Sequence, residues 1–243
     1  MTNEICDPTQ FYITSETPCP YLSGRMERKV FTHLVGLRAK ALNNALTLAG
    51  FRRSQTISYR PACEGCNACI SVRVRSNEFT PSRTQLRIIS KNRDISAISQ
   101  DKRASTEQFN LFQRYIRGRH KDSGMADMSF NDYQMMIEDS YVETQIIEYR
   151  LGSLHDPNGT LVACCLTDYL SDGLSMVYSF YDPTMRKKSL GVFMILDHIL
   201  RAKSVNKPYL YLGYWVDGSP KMAYKSSYLP QERLERVGWR SIC

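Results

Sequence analysis

The sequence predicts an α+β fold in which a smaller, basic N-terminal α/β part with a cysteine cluster, residues 1–104, precedes a larger part, residues 105–243. Three observations support this prediction. Apolar residues make up 42% of the 243 positions, which is enough for a substantial core. Runs with helical and with strand periodicity follow one another without an internal repeat. The positive charge is uneven: residues 1–105 hold 16 Lys and Arg against 8 Asp and Glu, whereas residues 106–243 hold 16 of each.

The first part is predicted to contain a helix, two strands and a second helix. The first helix lies in THLVGLRAKALNNALTLAGF, ends before Gly50, and has apolar residues at helical spacing: Leu34, Leu37, Ala41, Ala45 and Leu48. SQTISYRP and ACISVRVRS indicate strands. In the second strand apolar residues alternate with Ser71, Arg73 and Arg75, which predicts one core face and one basic, outward face. PSRTQLRIISKN follows as a helix opened by Pro81, with Ser and Thr available as caps.

The second part is predicted to begin with two amphipathic helices, STEQFNLFQRYIRGRH and SFNDYQMMIED, the first opened by a capping-box pair, Ser105 and Gln108. Three β-like runs, TQIIEYRL, GTLVACCLTDYL and LSMVYSFYDP, are separated by the turn signals HDPNG and SDG, which favours an antiparallel meander. A helix, SLGVFMILDHILRAK, a strand, PYLYLGYWV, and a closing strand, RLERVGWRSI, complete the chain. This order is expected of an acyltransferase-type domain, although fold order alone identifies no reaction.

Composition excludes several classes of protein. No run approaches the roughly 18 apolar residues needed to cross a bilayer, and MTNEICDPTQFYITSET lacks the basic start and apolar core of a signal peptide. We therefore expect a cytoplasmic protein without a membrane partner. Eight cysteines are too sparse for a disulfide scaffold at this length. The one-sided positive charge suits a polyanionic partner, and the alternative interpretation is a solubilising surface.

Three cysteines, Cys63, Cys66 and Cys69, have the two-residue spacing by which a turn directs successive thiolates at one ion. Cys19, between two prolines, is the best fourth ligand. Four thiolates suit zinc or an iron-sulfur cluster, and reduced thiols are the alternative. In either case we expect the cluster to fasten the CPYLSGR loop to the YRPAC corner and to be structural, not catalytic.

Several segments together resemble one enzyme family. PCPYLSGR, YRPACEGCNAC, SMVYSFYDP, SLGVFMILDHI, YLYLGYWVDGSPKMAYKSSYLP and a late GW are similar to segments of the aminoacyl-tRNA-protein transferases of the N-degron pathway, over nearly the whole chain. The short form with a CxxCxxC cluster is similar to the bacterial aspartate/glutamate leucyltransferases, whereas the longer eukaryotic relatives are arginyltransferases. Related transferases have a cysteine site at the N-terminal loop. This sequence departs from the longer members in having one cysteine in the loop and three in the cluster.

The resemblance implies a GNAT-like aminoacyltransferase domain over residues 105–243. It also implies that an amino acid moves from its tRNA ester to the α-amino group of a protein beginning with Asp or Glu, which creates an N-degron. Leucyl-tRNA is the expected donor and arginyl-tRNA the nearest alternative, because the YDP, SLG and PKMxYK strings occur in both branches. Two other hypotheses stay open: a non-catalytic RNA-binding module with a zinc knuckle, and a coenzyme A acetyltransferase, which the lack of a full pyrophosphate-loop fingerprint disfavours.

An aminoacyl ester is already activated, so positioning of the amine is expected to dominate. An α-amino group with a pKa of about 7.7–8.0 is partly neutral near pH 7. Holding the reactants together supplies effective molarities of roughly 10⁵ M or more, against roughly 10²–10⁴-fold from general base catalysis. We therefore expect neither an essential triad nor a cofactor required for the chemistry. The four histidines show no Ser/His/Asp arrangement, and His198, on an apolar helix, is expected to pack in the core.

The candidate site residues fall into two sets. Tyr178, Tyr181 and the backbone N–H groups of VYSFYDP are candidates for the oxyanion, and Asp182 for the incoming amine; core packing and a turn role are the alternatives. The substrate-binding candidates are cations for carboxylate or phosphate, a helix start for phosphate, and aromatic faces for the adenosine. They are Arg25, Arg60, Arg73, Arg75, Arg186, Lys221 and Lys225; Ser189 and Gly191; and Tyr214 and Tyr224.

Overall fold

The computed structural model describes residues 8–119, 124–152 and 159–243. The α-helices among them are α1 (Ala39–Leu48), α2 (Arg83–Lys91), α3 (Thr106–Arg119), α4 (Phe130–Glu138) and α5 (Leu190–Ser204). Short 3₁₀ turns cover Arg186–Lys188 and Ala223–Ser227. Within the described ranges, the helices all fall short of the length and apolar character that a membrane span requires.

Fourteen strands are present in the described residues. The strands of the first part are β1 (Tyr12–Ile13), β2 (Thr17–Pro18), β3 (Met26–Glu27), β4 (Lys29–His33), β5 (Arg52–Ser54), β6 (Ile57–Pro61), β7 (Cys69–Arg75) and β8 (Ile95–Asp101). The strands of the second part are β9 (Thr144–Leu151), β10 (Thr160–Tyr169), β11 (Gly173–Tyr181), β12 (Tyr209–Val216), β13 (Gln231–Glu235) and β14 (Gly238–Ile242).

The central sheet has eight strands in the order β14-β13-β7-β12-β11-β10-β9-β8. β11 and β12 run parallel, and every other neighbouring pair in this sheet is antiparallel. Two strands of the first part belong to it: β7 lies between β12 and β13, and β8 forms the edge beside β9. The division of the chain after residue 104 stays a prediction, and the sheet crosses that point.

Helices cover both faces of the central sheet because successive strand residues point to opposite faces. Ile146 and Cys164 pack in one cluster with α3 and α4, whereas Ile147 and Cys165 pack in another with α5. A third cluster joins α2 and α5 to β7 and β12. His198 on α5 is fully buried, with Nε2 2.8 Å from the Thr167 hydroxyl, which confirms its predicted place in the core.

A second, four-stranded sheet in the order β1-β4-β6-β5 lies in the first part, with α1 packed beside it. Its strand β5 carries Arg53, which donates two hydrogen bonds of 2.6 and 2.7 Å to the carboxylate of Asp168 on β10. Thr144 donates to the same carboxylate at 2.7 Å. This buried ion pair fixes the edge of the small sheet against the central sheet.

The predicted helices are present, and side-chain caps explain where three of them begin. Ser82 and Ser129 form capping boxes with Gln85 and Asp132, and the Ser105 hydroxyl accepts from the backbone N–H of Gln108. The first helix is shorter than predicted and begins at Ala39. Leu34 and Leu37 precede it, and Gly36, at φ +69°, turns the chain between these two residues.

Two predictions about strands are wrong. The closing segment is not a single strand but the hairpin of β13 and β14, which turns immediately before Gly238 at φ +116°. Arg73 does not point outward: it is buried, with its guanidinium 2.6 Å from Glu232 and 4.2 Å from the centre of the Trp239 ring. The hairpin lies beside β7 in the sheet, and its side chains Glu232 and Trp239 lie against Arg73 on the face that the alternating pattern predicted to be exposed. The SDG turn joins antiparallel strands as predicted, whereas most of HDPNG lies outside the described residues.

Candidate active site

A cleft opens in the middle of the central sheet between β11 and β12. The two strands pair over only three positions, from Gly173 opposite Tyr209 to Ser175 opposite Tyr211. Beyond them β11 continues to Tyr181 and β12 to Val216 as separate strands. Strands that separate direct backbone N–H and C=O groups into the gap, where they need other partners. The centre of the sheet therefore offers polar backbone groups to a side chain or a ligand.

Both walls of the cleft are irregular where it opens. Along β10 and β11, Leu166 lies opposite Tyr178 but Thr167 lies opposite Met176, so Val177 is an extra residue in β11. The register of β12 and β7 also shifts, between Tyr211 and Gly213. Such bulges redirect backbone groups and are frequent beside active sites. These two bulges turn the backbone at Val177 and at Gly213 toward the cleft between β11 and β12.

Arg52 of β5 fills part of this space. Its Nη2 donates to the Val177 carbonyl at 3.3 Å, and its Cζ lies 5.9 Å from the centre of the Tyr214 ring. Gly213, at φ +74°, makes this approach possible, since a Cβ there would lie 2.4 Å from the Arg52 Cζ. The N-terminal sheet thus supplies a guanidinium to a cleft built from the C-terminal strands.

The charge of Arg52 has no carboxylate partner among the residues that the structure describes. Its one described hydrogen bond is to the Val177 carbonyl, although a guanidinium has five N–H donors. Its neighbour Arg53 and the buried Arg73, in contrast, are both paired with carboxylates. Arg52 is only half-buried, so solvent or a ligand reaches it. A partly desolvated cation of this kind favours an incoming anion.

Tyrosines and one lysine surround Arg52. The Tyr214 hydroxyl lies 2.9 Å from the carbonyl oxygen of Gly50 and 3.1 Å from that of Tyr59, and its one proton, shared between them, ties β12 to the N-terminal part. Lys225 is 3% exposed and donates to the Tyr214 carbonyl at 2.6 Å. Burial lowers the pKa of Lys225 well below its usual range, and the charge of Arg52 lowers it further. Tyr21 is also near Arg52, and burial raises its pKa to about 12; burial raises the pKa of Tyr214 as well, so both phenols are neutral near pH 7.

The other end of β11 brings several predicted residues together. The Tyr181 ring lies 5.0 Å from the Tyr115 ring, and a Cβ on Gly191 would lie 3.3 Å from Tyr181 Cε1. The Asp182 carboxylate accepts from the backbone N–H of Thr184 at 2.9 Å and from its hydroxyl at 2.6 Å. Tyr181 therefore lies against the first turn of α5, and Asp182 stabilises the turn that follows β11.

The first turn of α5 is preceded by a basic 3₁₀ turn. Ser189, at φ +52°, separates the turn Arg186–Lys188 from the helix. Lys188 pairs with Asp94 at 2.6 Å, whereas Arg186 and Lys187 are exposed. The first N–H groups of a helix have no partner within it, and they attract anions. The predicted residues Arg186, Ser189 and Gly191 thus lie together at a place suited to phosphate.

The four cysteines predicted as ligands are neighbours at the base of the N-terminal loop. The backbone N–H of Cys19 donates to the Arg25 carbonyl at 2.9 Å, and the Arg25 guanidinium lies 3.3 Å from Cys66 Sγ. Burial raises the pKa of Cys69 to about 12, and the charges of Cys19, Cys63 and Cys66 raise it further. A hydrogen bond from the Ala68 backbone is the main cause that lowers the pKa of Cys66. Within the described ranges, no three or more His, Cys, Asp or Glu side chains are arranged to hold a metal ion.

The remaining candidates lie apart from the cleft or turn away from it. Tyr178 packs against Phe112 of α3, with 6.1 Å between ring centres, and burial raises its pKa. Arg75 pairs with Glu78, and Arg60 lies over the Phe51 ring, with 5.4 Å from its Cζ to the ring centre. Lys221 is an exposed residue near Lys225 in the chain. Tyr224 is the exception: its phenol lies near Arg52 and Tyr181, so it borders the cleft, and burial raises its pKa. Arg52 was missed by sequence reasoning, since nothing in the FRRS segment distinguishes it from its paired neighbour.

Comparisons with known proteins match the whole chain. A family model described as the N terminus of arginine-tRNA-protein transferase matches residues 17–87, and one for the C terminus matches residues 107–235. The aspartate/glutamate leucyltransferase of Bradyrhizobium sp. (strain ORS 278) is 57% identical over 246 residues, covering 100% of this chain and 95% of that protein. The protein of the same name from Methylobacterium sp. (strain 4-46) is 57% identical over 247 residues, covering 100% of both.

Among solved structures, the crystal structure of FemX has a TM-score of 0.51 with this chain, at 9% sequence identity. The match covers 83% of this chain and 67% of FemX. At this identity the similarity concerns the fold alone. It confirms the predicted GNAT-like, acyltransferase-type α+β fold.

Proposed function

Because the chain belongs to the aspartate/glutamate leucyltransferase family, we infer that it transfers leucine from leucyl-tRNA to the α-amino group of proteins that begin with Asp or Glu. The observation that carries this inference is the 57% identity over the full length of both chains in the Methylobacterium relative. The protein is accordingly an aminoacyltransferase, and its product is a protein lengthened by one N-terminal leucine. Such a product is an N-degron, and we propose a cytoplasmic role in protein degradation.

The reaction exchanges an ester for an amide. The nitrogen of the neutral α-amino group attacks the carbonyl carbon of the leucyl ester, the new C–N bond forms, and the C–O bond to the terminal ribose breaks. The ribose oxygen leaves with a proton from the amine, so no oxidant and no energy donor beyond the ester is needed. Positioning of amine and ester supplies most of the acceleration in such a reaction.

We propose that the cleft between β11 and β12 holds the reacting groups. Arg52, which has no carboxylate partner in the described part of the chain, brings charge to β11, and the bulge at Val177 and the turn beyond Tyr181 supply backbone donors along that strand. Backbone N–H groups in this segment are suited to the oxyanion, because fixed dipoles need not reorganise during the reaction. Tyr181, at the end of β11, is proposed to contact the donor, and Asp182, whose carboxylate accepts from Thr184, is proposed to hold the turn that positions Tyr181.

The start of α5 is the proposed site for the phosphate next to the leucylated end of the tRNA. Arg186 and Lys187 are exposed there, and the first N–H groups of α5 add donors. Phosphate contacts by arginine and lysine give strong binding without base readout, and this binding weakens as salt increases. The excess of basic residues in positions 1–105 supports a wider tRNA surface on the N-terminal part.

We propose that the four cysteines have a structural role and hold the N-terminal CPYLSGR loop in place. Their donor chemistry fits zinc or an iron-sulfur cluster, which thiolates prefer, although the described side chains are not arranged as a closed site. A bound cation would remove the repulsion between thiolates that contributes to the raised pKa of Cys69. Arg25, which contacts Cys66, would be held by the same fastening.

A transfer assay with two donors tests the proposed function. Purified protein receives a peptide with N-terminal Asp and either labelled leucyl-tRNA or labelled arginyl-tRNA. We expect label from leucyl-tRNA to enter the peptide, and the N-acetylated peptide, which lacks the nucleophile, to stay unlabelled. Label from arginyl-tRNA alone would establish the arginyltransferase activity instead, and binding of tRNA without any transfer would contradict an enzymatic role.

A further inference from the structure

Arg52 is the one described arginine that reaches the cleft from the N-terminal sheet, and its environment is unusual for a cation. It is half-buried and contacts the Val177 carbonyl, yet it lies within ion-pair distance of no described carboxylate. Removing a guanidinium from water without a counter-charge is unfavourable. The fold retains this arrangement, and it even places a glycine at φ +74° to admit the side chain.

Two buried arginines show that the fold supplies carboxylates where a cation needs one. Arg53, the next residue, is paired with Asp168, and Arg73, on β7, is paired with Glu232. The surroundings of Arg52 consist instead of neutral tyrosines and the amine of Lys225, whose pKa is lowered by burial and by Arg52. The cleft therefore carries positive charge that a ligand carboxylate would neutralise.

We propose that Arg52 binds the side-chain carboxylate of the N-terminal Asp or Glu of the acceptor protein and thereby determines acceptor specificity. The inference rests on the proposed function. A guanidinium presents N–H groups in a planar fork and grips a carboxylate at two points. An amide side chain, as in Asn or Gln, carries no charge and replaces one acceptor oxygen by a donor, so it pairs poorly with the same fork.

The geometry of the acceptor explains why this contact positions the amine. In an N-terminal Asp the carboxylate is attached through Cβ to the carbon that bears the amine, so anchoring the carboxylate fixes the nitrogen within about 4 Å. Val177 precedes Tyr181 by four residues, or about 13 Å along an extended strand. The ester and ribose of the donor occupy this interval if the phosphate lies at the start of α5. Arg52 and α5 then hold the two substrates from opposite ends of one strand.

The alternative occupant is a phosphate of the donor, and the observations favour the carboxylate. Arg186 and Lys187 already provide exposed cations near the start of α5. Arg52 lies deeper, among the buried Tyr214 and the half-buried Tyr21 and Tyr59, where a small planar group fits better than a polyanion. If Arg52 binds the acceptor carboxylate, replacing it impairs the reaction of Asp and Glu peptides; if it binds a donor phosphate, replacing it raises the KM for leucyl-tRNA. One kinetic experiment therefore distinguishes the two.

The test compares Arg52→Gln and Arg52→Lys with wild type, using leucyl-tRNA and four peptides that differ only in a first residue of Asp, Asn, Glu or Gln. Arg87→Gln is the matched control, because Arg87 is an exposed arginine of α2, away from the cleft. For Arg52→Gln we expect kcat/KM with Asp and Glu peptides to fall at least about 30-fold. The kcat/KM with Asn and Gln peptides should change little, so the ratio of kcat/KM for the Asp peptide to that for the Asn peptide (the Asp/Asn ratio) falls sharply. The KM for leucyl-tRNA should stay within about threefold of the wild-type value. Arg52→Lys should restore part of the Asp/Asn ratio, since it keeps the charge but loses the fork.

Three results would overturn the proposal. An unchanged Asp/Asn ratio in Arg52→Gln shows that another group reads the carboxylate. A raised KM for leucyl-tRNA with the ratio preserved assigns Arg52 to the donor. An equal loss with all four peptides, together with a lower melting temperature, shows a structural role. Failure of the proposed function looks different from all three, because the wild-type protein would then label no peptide.

Discussion

Arg53 on β5 and Asp168 on β10 form a bidentate ion pair, with N···O distances of 2.6 and 2.7 Å and both side chains 2% exposed. The pair joins the N-terminal sheet to the central sheet. Because Arg53 follows Arg52 in the same short strand, it also fixes the point from which Arg52 enters the cleft. The geometry of the site therefore depends on a contact that takes no part in the chemistry.

Replacement of Arg53 by Met is expected to destabilise the fold strongly. It leaves the Asp168 carboxylate buried without its cation, which typically costs about 3–5 kcal/mol. Urea denaturation measures the free energy of unfolding, and Arg87→Gln, at an exposed position, should change it by no more than about 0.5 kcal/mol. A loss below about 1 kcal/mol for Arg53→Met would show that the pair does not hold the two sheets together.

Gly213→Ala is expected to impair transfer more than it impairs stability. Its Cβ would lie 2.4 Å from the Arg52 Cζ, so the guanidinium must leave its place. Gly36→Ala is a matched control: Gly36 has a similar φ of +69°, but a Cβ there meets nothing within 4 Å. Both variants should lose about 1–2 kcal/mol from backbone strain. Only Gly213→Ala should lose most of its kcat/KM with an Asp peptide; equal activities would contradict the close approach.

Cys66→Ser is expected to lower the melting temperature and the transfer rate together, because the cluster fastens the loop that carries Arg25. Cys243→Ser, at an exposed thiol, serves as the control and should match wild type. Zinc and iron are measured in both proteins by elemental analysis. Normal thermal stability with lost transfer would point to a chemical role for the thiol, contrary to a structural fastening.

Lys225 is expected to make stability depend on pH in the alkaline range. Its pKa in the folded protein is lowered by burial and by Arg52, whereas the unfolded chain has the ordinary value of 10.5. Between these two pKa values the unfolded state binds more protons, so the free energy of unfolding rises with pH. Compared with Lys225→Met, the wild type should gain up to about 1.4 kcal/mol per pH unit. Urea denaturation at pH 7.5, 8.5 and 9.5 measures both slopes, and equal slopes would contradict a lowered pKa.

Local signals in the sequence predict most elements of the fold. Ser82, Ser105 and Ser129 begin helices through side-chain caps, and these depend on residues only three positions away. The face of β7 was assigned wrongly because the residues that cover Arg73, such as Glu232, come from a hairpin far along the chain. Alternation predicts that a strand has two faces, but it does not say how many of them the rest of the chain buries.

The same reason explains why Arg52 could not be found from the sequence. Arg52 and Arg53 are adjacent and chemically identical, and they differ only in what the central sheet presents to each. Asp168 lies opposite one, whereas the bulge at Val177 lies opposite the other. Resemblance to the family identifies the reaction and its substrates. The role of a single arginine, in contrast, depends on contacts between strands that are distant in the sequence.

Mass spectrometry of the acceptor peptide tests the central claim most directly. Peptides with N-terminal Asp, Glu or Lys are incubated with the protein and leucyl-tRNA, and the product is fragmented to locate any addition. The account predicts one leucine on the α-amino group of the Asp and Glu peptides and none on the Lys peptide. Unmodified Asp and Glu peptides, or addition regardless of the first residue, would contradict it.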